Sequence, residues 1–470
     1  MSSTRPNILL IMSDEHAPQC SSVYGHPLVR TPHLQRLASE GVTFDAAYCN
    51  APICVPSRAS FMTGKHVHRI GAWDNWTPFS SDTVTWAHLL RAAGYRVLLD
   101  GKMHFVGPDT LHGFERQLTR DSSSRIDAFP RGEQIGEDEI ARFRRRVEEA
   151  GQGHSKHVDF DENVTAAAIN WLHAQADGGE PWCLVASLLT PHFPLIAPEE
   201  YYSQYSPHHV DMPAVPPAGD DVVHPAHARM RHFFGLDGLT DEQIHRARAA
   251  YYGLVTYTDT KVGQLLAALA ETGFAENTLV VYTADHGEMA GEHGLWWKNS
   301  FYEESARVPL IVRWPARLAE NTRFGGVVSL VDVARTLVDV AGAEDPGDLD
   351  GDSLLGVLQA GAGEPDDVRS RWKDEAFSEY YGPATDRPHR MLRRGRWKYC
   401  YYHDEPGELY DLQTDPHERC NLAEEPACAA IAGSLRRHLL AGWDPVPLAA
   451  TVRESMRARR YVAASRPPGE

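Results

Sequence analysis

From Ile8 to Met12 every side chain is apolar, and the run closes on Asp14 and Glu15. An unbroken apolar stretch of this length predicts a strand buried on both faces, whose carboxyl end delivers acids to a site. Helical spacing with glycine stops predicts helices over 33–41 and 83–94, and 95–100 reads as a strand ahead of Gly101. The alternation continues with a helix over 161–176, a strand over 182–189, one long helix or two over 240–272 and a strand over 278–283. A strand over 308–313 and a helix over 330–341 follow. Strands and helices in turn predict an α/β fold, a large mixed, mainly parallel central sheet flanked by helices. Residues 342–367 shift to Gly, Asp and Pro, which places a boundary there. Beyond it, 391–402 and 408–412 read as paired strands and 431–440 as a helix. The expected organisation is a catalytic domain over 1–367 and a smaller C-terminal α+β subdomain over 368–470.

Composition narrows the function classes. The chain has 470 residues and a formal charge of −18, so a nucleic-acid partner is not expected, and an anionic substrate would need a local positive pocket. The apolar run 8–12 is too short for an export signal or a membrane span. Seven scattered cysteines without metal-finger spacing suit buried thiols in a reducing compartment, and the expected location is cytoplasmic, away from membranes. The Asn75-Trp76-Thr77 and Asn163-Val164-Thr165 sequons are then coincidental. The sequence leaves a homo-oligomer open.

The candidate chemistry starts at Cys54-Val55-Pro56-Ser57-Arg58. Pro56 fits the first turn of a helix and Gly64 its end, so Cys54 is expected at a helix N-terminus, where free N–H groups favour an anion and Arg58 adds planar donors. A buried structural cysteine is the bland alternative. A Cys-x5-Arg phosphate loop is excluded because Ser60 stands where its arginine belongs. Asp14 and Glu15 after the first strand, with Asp285 and His286 after the strand over 278–283, offer three carboxylates and an imidazole, a donor set for one divalent cation.

The Cys-x-Pro-x-Arg run resembles the signature of the type I sulfatases, relatives of alkaline phosphatase. Asp285-His286-Gly287-Glu288 through Trp297-Lys298 resembles their second signature, Gly101-Lys102-Met103-His104 their Lys-x-His element, and Thr190-Pro191-His192-Phe193-Pro194 a loop with an active-site His. Gly395 to Tyr399 and Glu408 to Leu412 are similar to the family's C-terminal domain. The resemblance implies sulfate-ester hydrolysis to an alcohol and inorganic sulfate, with Cys54 oxidised to formylglycine by a formylglycine-generating enzyme. It implies one metal, Ca²⁺ or alternatively Mn²⁺ or Mg²⁺, on Asp14, Glu15, Cys54, Asp285 and His286. Glu15 departs from the Asp or Gln usual there. Arg58, Lys102 and Lys298 would offset charge, His192 with Lys298 would protonate the leaving oxygen, and His104 would take a proton from the second diol hydroxyl. Asn75 is a candidate substrate contact. The alternatives are a phosphonate or phosphate monoester hydrolase of the same superfamily, and a non-catalytic anion-binding relative.

Within the family, Gly101 to Pro108, Leu111 to Glu115 and Val452-Arg453-Glu454-Ser455 look like the choline sulfatases. Choline, however, calls for an aromatic cage with a nearby carboxylate. Residues 121–134 offer only Phe129 where that branch is rich in Trp, and Glu470 ends the chain before the long tail that completes a neighbour's pocket. The expected pocket therefore lacks aromatic faces and favours an aryl or neutral alkyl sulfate over choline sulfate.

Overall fold

The computed structural model describes residues 5–121, 135–175, 179–205, 209–219, 223–359 and 371–465. The expected division between 367 and 368 falls outside these residues, as does Phe129 with all of 122–134.

The central sheet has nine strands. They are β1 (Asn7–Asp14), β2 (Val42–Tyr48), β3 (Arg96–Gly101), β4 (Arg116–Gln117), β5 (Trp182–Pro191), β6 (Thr278–Ala284), β7 (Arg307–Val308), β8 (Leu310–Arg313) and β9 (Thr322–Ser329). The order is β9-β2-β8-β6-β1-β5-β3-β4, with β7 also on β2. Only β7 and β8 run antiparallel to their neighbours, so the sheet is mixed and mainly parallel, as the alternation predicts.

Period-two alternation along β1 explains its uniformly apolar sequence. Ile8, Leu10 and Met12 face one layer of helices, α2 (Cys54–Thr63), α3 (Trp86–Ala92) and, further along the chain, the helix Leu330–Val340, through Phe61, Met62, Trp86, Leu90 and Leu337. Leu9 and Ile11 face the other layer, α1 (Pro32–Ser39), the helix Lys156–His173 and the helix Asp241–Glu271, through Leu34, Leu37, Leu172, Val262 and Leu265. Each side chain so buried stabilises the fold by about 1.5–3 kcal/mol relative to exposure. A strand with only one buried face would have alternated with polar residues.

The stretch 240–272 forms one helix, started by a reciprocal capping box between Thr240 and Gln243. The expected strand over 308–313 is divided at Pro309, whose missing N–H interrupts the ladder. β2 and β9 follow no clear sequence signal: β9 contains Gly325 and Gly326, where the register shifts between Phe324 and Val327.

Residues 375–411 form a second, antiparallel sheet from Glu375–Tyr380, His389–Arg394, Trp397–Tyr402 and Glu408–Asp411. Two helices close the chain, Ala429–Leu440 and Pro445–Ala464. The latter buries only Ala449, Val452, Met456 and Arg459, a stripe too narrow to read as amphipathic from sequence. Arg459 forms a two-pronged pair with Asp74, at 2.7 and 2.8 Å. No helix among the described residues is long and apolar enough to cross a membrane. Five of the seven unpaired cysteines are buried, Cys420 is exposed and Cys428 half-buried.

Candidate active site

Register puts the acids together. Ser13 on β1 lies opposite Ala284 on β6, so Asp14 and Asp285 leave adjacent parallel strands side by side at their carboxyl ends. Cys54 enters from above, as the first residue of α2, whose ten residues are all buried. Pro56 sits in the first turn, and Gly64, at φ 65°, ends the helix by donating to Ser60 O. Asn75 Oδ1 accepts the free N–H of Val55 at 2.9 Å. Asn75 thus caps the helix that carries Cys54, besides lining the cavity above it.

Ligand-capable atoms of Asp14, Cys54, Asp285 and His286 all lie within 4.8 Å of one another. His286 Nδ1 donates to Gly287 O at 3.0 Å, which turns Nε2 toward Cys54 Sγ at 3.2 Å. Burial pushes Asp285 up although Arg58 opposes it, and His286 is raised because Asp285 and the Cys54 sulfur outweigh its burial. Burial would also raise the Cys54 thiol, yet Lys298, Lys102 and His286 hold it well below its ordinary value. Two carboxylates and an imidazole with a free Nε2 fit a divalent cation.

Glu15 faces two partners besides the acids. Its backbone is left-handed, at φ 67°, and its Oε2 lies 3.0 Å from Lys298 Nζ and 3.2 Å from His192 Nε2. It belongs to a second, overlapping group with Asp14 and His192, not to the four-residue cluster. Burial raises its pKa well above the carboxylate range, with Lys298 opposing and the buried neighbour Glu288 adding to it. Its carboxylate pairs with Lys298, and with Asp14 and His192 it makes a second set of donors that could hold a metal.

Arg58 departs from its expected placement. Instead of facing an oxyanion, it is buried beneath the cluster: Nε donates to Asp285 Oδ2 at 2.7 Å and Nη2 to Asp14 Oδ2 at 3.0 Å. Nη1 donates to Lys102 O and Ser187 Oγ. Its planar fork therefore fixes both candidate ligands. Burial would raise Asp14, but Lys102, His192 and Arg58 keep it well below the usual carboxylate range.

Lys102 reaches Asp14 Oδ2 at 2.6 Å. His192 donates from Nδ1 to Phe193 O at 2.6 Å and accepts from Lys298 Nζ at Nε2, 2.8 Å away. Burial, reinforced by Lys298, keeps this imidazole neutral. His104, also left-handed at φ 60°, is held by its N–H on Asp121 and faces the Cys54 thiol. Every predicted site residue thus converges, with Arg58 turned to Asp14 and Asp285 and Glu15 to Lys298. Sequence reasoning missed His157, whose ring lies 5.8 Å from that of His192 and whose pKa burial lowers to about 4. A lone His early in a helix gives no sequence signal. It also assigned no part to Glu288, although that residue lies in the quoted Asp285 to Glu288 run, and missed Ser187, which only the fold brings here.

The cavity over Cys54 has a volume of about 240 Å³. Its walls overturn the expectation of a pocket without aromatic faces: Trp76, Phe143, Phe193, Phe234 and Trp297 line it. These rings come from five separate segments, so no single stretch of sequence shows the enrichment.

Comparisons with known proteins bear on the chain as a whole. The sulfatase family model matches residues 6–343, and the model for the N-sulphoglucosamine sulphohydrolase C-terminal region matches 291–442. The choline-sulfatase of Rhizobium meliloti (strain 1021) is 34% identical over 479 residues, covering 98% of this chain and 91% of that protein. Arylsulfatase K of Canis lupus familiaris is 29% identical, covering 89% and 79%. The crystal structure of the phosphonate monoester hydrolase of Agrobacterium radiobacter superposes with a TM-score of 0.74 at 25% identity, covering 96% of each chain. With the family model over most of its length and a full-length relative above 30% identity, this chain belongs to the sulfatase family and is a sulfuric ester hydrolase.

Proposed function

We propose that the chain hydrolyses a small-molecule sulfate ester at a formylglycine formed from Cys54 by a formylglycine-generating enzyme, with one divalent cation, Ca²⁺ or alternatively Mn²⁺ or Mg²⁺. The observation that carries this is Cys54 at a helix N-terminus, its Sγ 3.2 Å from His286 Nε2, in the lining of a cavity. Asp14, Asp285, His286 and the side chain at position 54 would hold the cation. Together the cation and the hydrated aldehyde would supply an oxygen nucleophile near neutral pH and a counter-charge for sulfate oxygens.

The rest falls to the chain's own side chains. Arg58 holds Asp14 and Asp285 in fixed orientation. Lys102 and Lys298 line the cavity wall and offset charge as the sulfur is attacked. Lys298 Nζ holds a proton between His192 Nε2 and Glu15 Oε2, and that proton goes to the leaving oxygen. His104 faces position 54 and accepts the proton whose loss ejects sulfate. Cys54→Ala should abolish turnover without unfolding the protein, since a small apolar side chain fits a buried helix start. Similarity to a phosphonate monoester hydrolase makes phosphonate and phosphate esters the second reading. Comparing kcat/KM for 4-nitrophenyl sulfate with that for 4-nitrophenyl phenylphosphonate tests it, and a higher value for the phosphonate would replace sulfate as the substrate.

A further inference from the structure

One cation in the cavity has no part in the chemistry above. Arg146, on the helix Glu137–Glu148, lines the same space as Cys54 and Lys298. Its guanidinium carbon lies 4.5 Å from the ring centroid of Phe193 and 4.8 Å from that of Phe143. Among the described residues it forms no ion pair and no hydrogen bond, whereas Arg144 on the same helix donates to Glu148 at 2.7 Å. Burial lowers its pKa, opposed by the charge of Glu15 and Glu139 and reinforced by Arg142. A partly desolvated guanidinium lying on two rings without a counter-ion is costly until an anion completes it.

The position of that cation relates it to the substrate. Lys298 Nζ lies 4.9 Å from the same Phe193 centroid, so Lys298 and Arg146 share one aromatic ring. None of the described lining side chains is acidic. A quaternary ammonium would meet aromatic faces here but also an unpaired positive charge.

We propose that the alcohol released is aromatic or cyclic and carries its own acidic group, which pairs with Arg146 while its ring lies against Phe193 and Trp297. This rests on the sulfatase reading and names its substrate class. Hydrolysis leaves the acidic group untouched: the S–O bond to the alcohol breaks, water supplies the oxygen retained on sulfate, and the alcohol takes a proton.

The test compares kcat/KM for 3-carboxyphenyl sulfate and its neutral amide, 3-carbamoylphenyl sulfate, at fixed ionic strength, with 3-sulfophenyl sulfate separating carboxylate from sulfonate. The acidic esters should be preferred by about 10- to 100-fold, the scale of one charge-assisted hydrogen-bonded pair. In Arg146→Met that ratio should fall to near unity. A wild-type preference for the amide, or an acid preference that survives in the variant, overturns the proposal, and the wild-type comparison stands even if the variant fails to fold. Turnover of the esters without acid preference sinks this inference and leaves the sulfatase reading intact. No turnover of any ester by protein with verified aldehyde at position 54 sinks both.

Discussion

Arg58 separates a side chain that touches substrate from one that builds the site. It is 1% exposed, and four of its five N–H donors go to two carboxylates, a carbonyl and a hydroxyl. Replacing it with Lys keeps the charge but loses the fork. Arg58→Lys should therefore weaken metal binding by about 10- to 100-fold, the usual effect of losing a partner that orients ligands. Titration of the metal-free variant with Ca²⁺ and Mn²⁺ checks this, and unchanged affinity would refute the assignment. The residue types at Asp14, Cys54, Asp285 and His286 were legible because a strand followed by acids, and a Cys before a helix-starting Pro, are local patterns. What Arg58 and Glu15 bind was not, because the fold chooses those partners and the left-handed φ of Glu15 leaves no mark in sequence.

Elements that lie far from the chemistry hold the site. Asn75 caps α2, and Asp74 beside it is gripped by Arg459 of the last helix, so the end of the chain fixes the loop on which the cap depends. A comparable clamp ties the second sheet to the catalytic core: Glu379 accepts from His68 N at 2.8 Å and from Tyr381 OH at 2.9 Å, and pairs with Arg390. Burial would raise this carboxyl, but the bond to His68 and the charge of Arg390 hold it at about 2, below its ordinary 4.5. A depressed folded-state pKa gives stability that is complete above 4.5 and is lost as pH falls toward 2. Glu379→Gln should flatten the acid limb of the stability–pH curve over that window, as read by urea unfolding from pH 2 to 7. An unchanged limb would show that the clamp does not couple to protons. Long, strongly patterned elements such as β1 and the helix Asp241–Glu271 were legible. β2, β9 and Pro445–Ala464 were not, because pairing partners and a narrow buried stripe, not composition, create them.

Across the whole molecule, the net charge of −18 coexists with a cavity whose charged walls, among the described residues, are Lys102, Arg146 and Lys298. The positive potential is thus local to the anion's position. The cluster beneath it should make stability depend on a cation: a chelator should lower Tm, added metal should restore it, and Asp285→Ala should bind no metal and show no response. Full metal content in that variant would move the site elsewhere. The account as a whole depends on the state of one side chain. Intact-mass analysis of the proteolytic peptide containing Cys54, taken from catalytically active enzyme produced beside a formylglycine-generating enzyme, should give the mass loss of thiol-to-aldehyde conversion. Active enzyme whose Cys54 peptide carried only an unmodified thiol would contradict it.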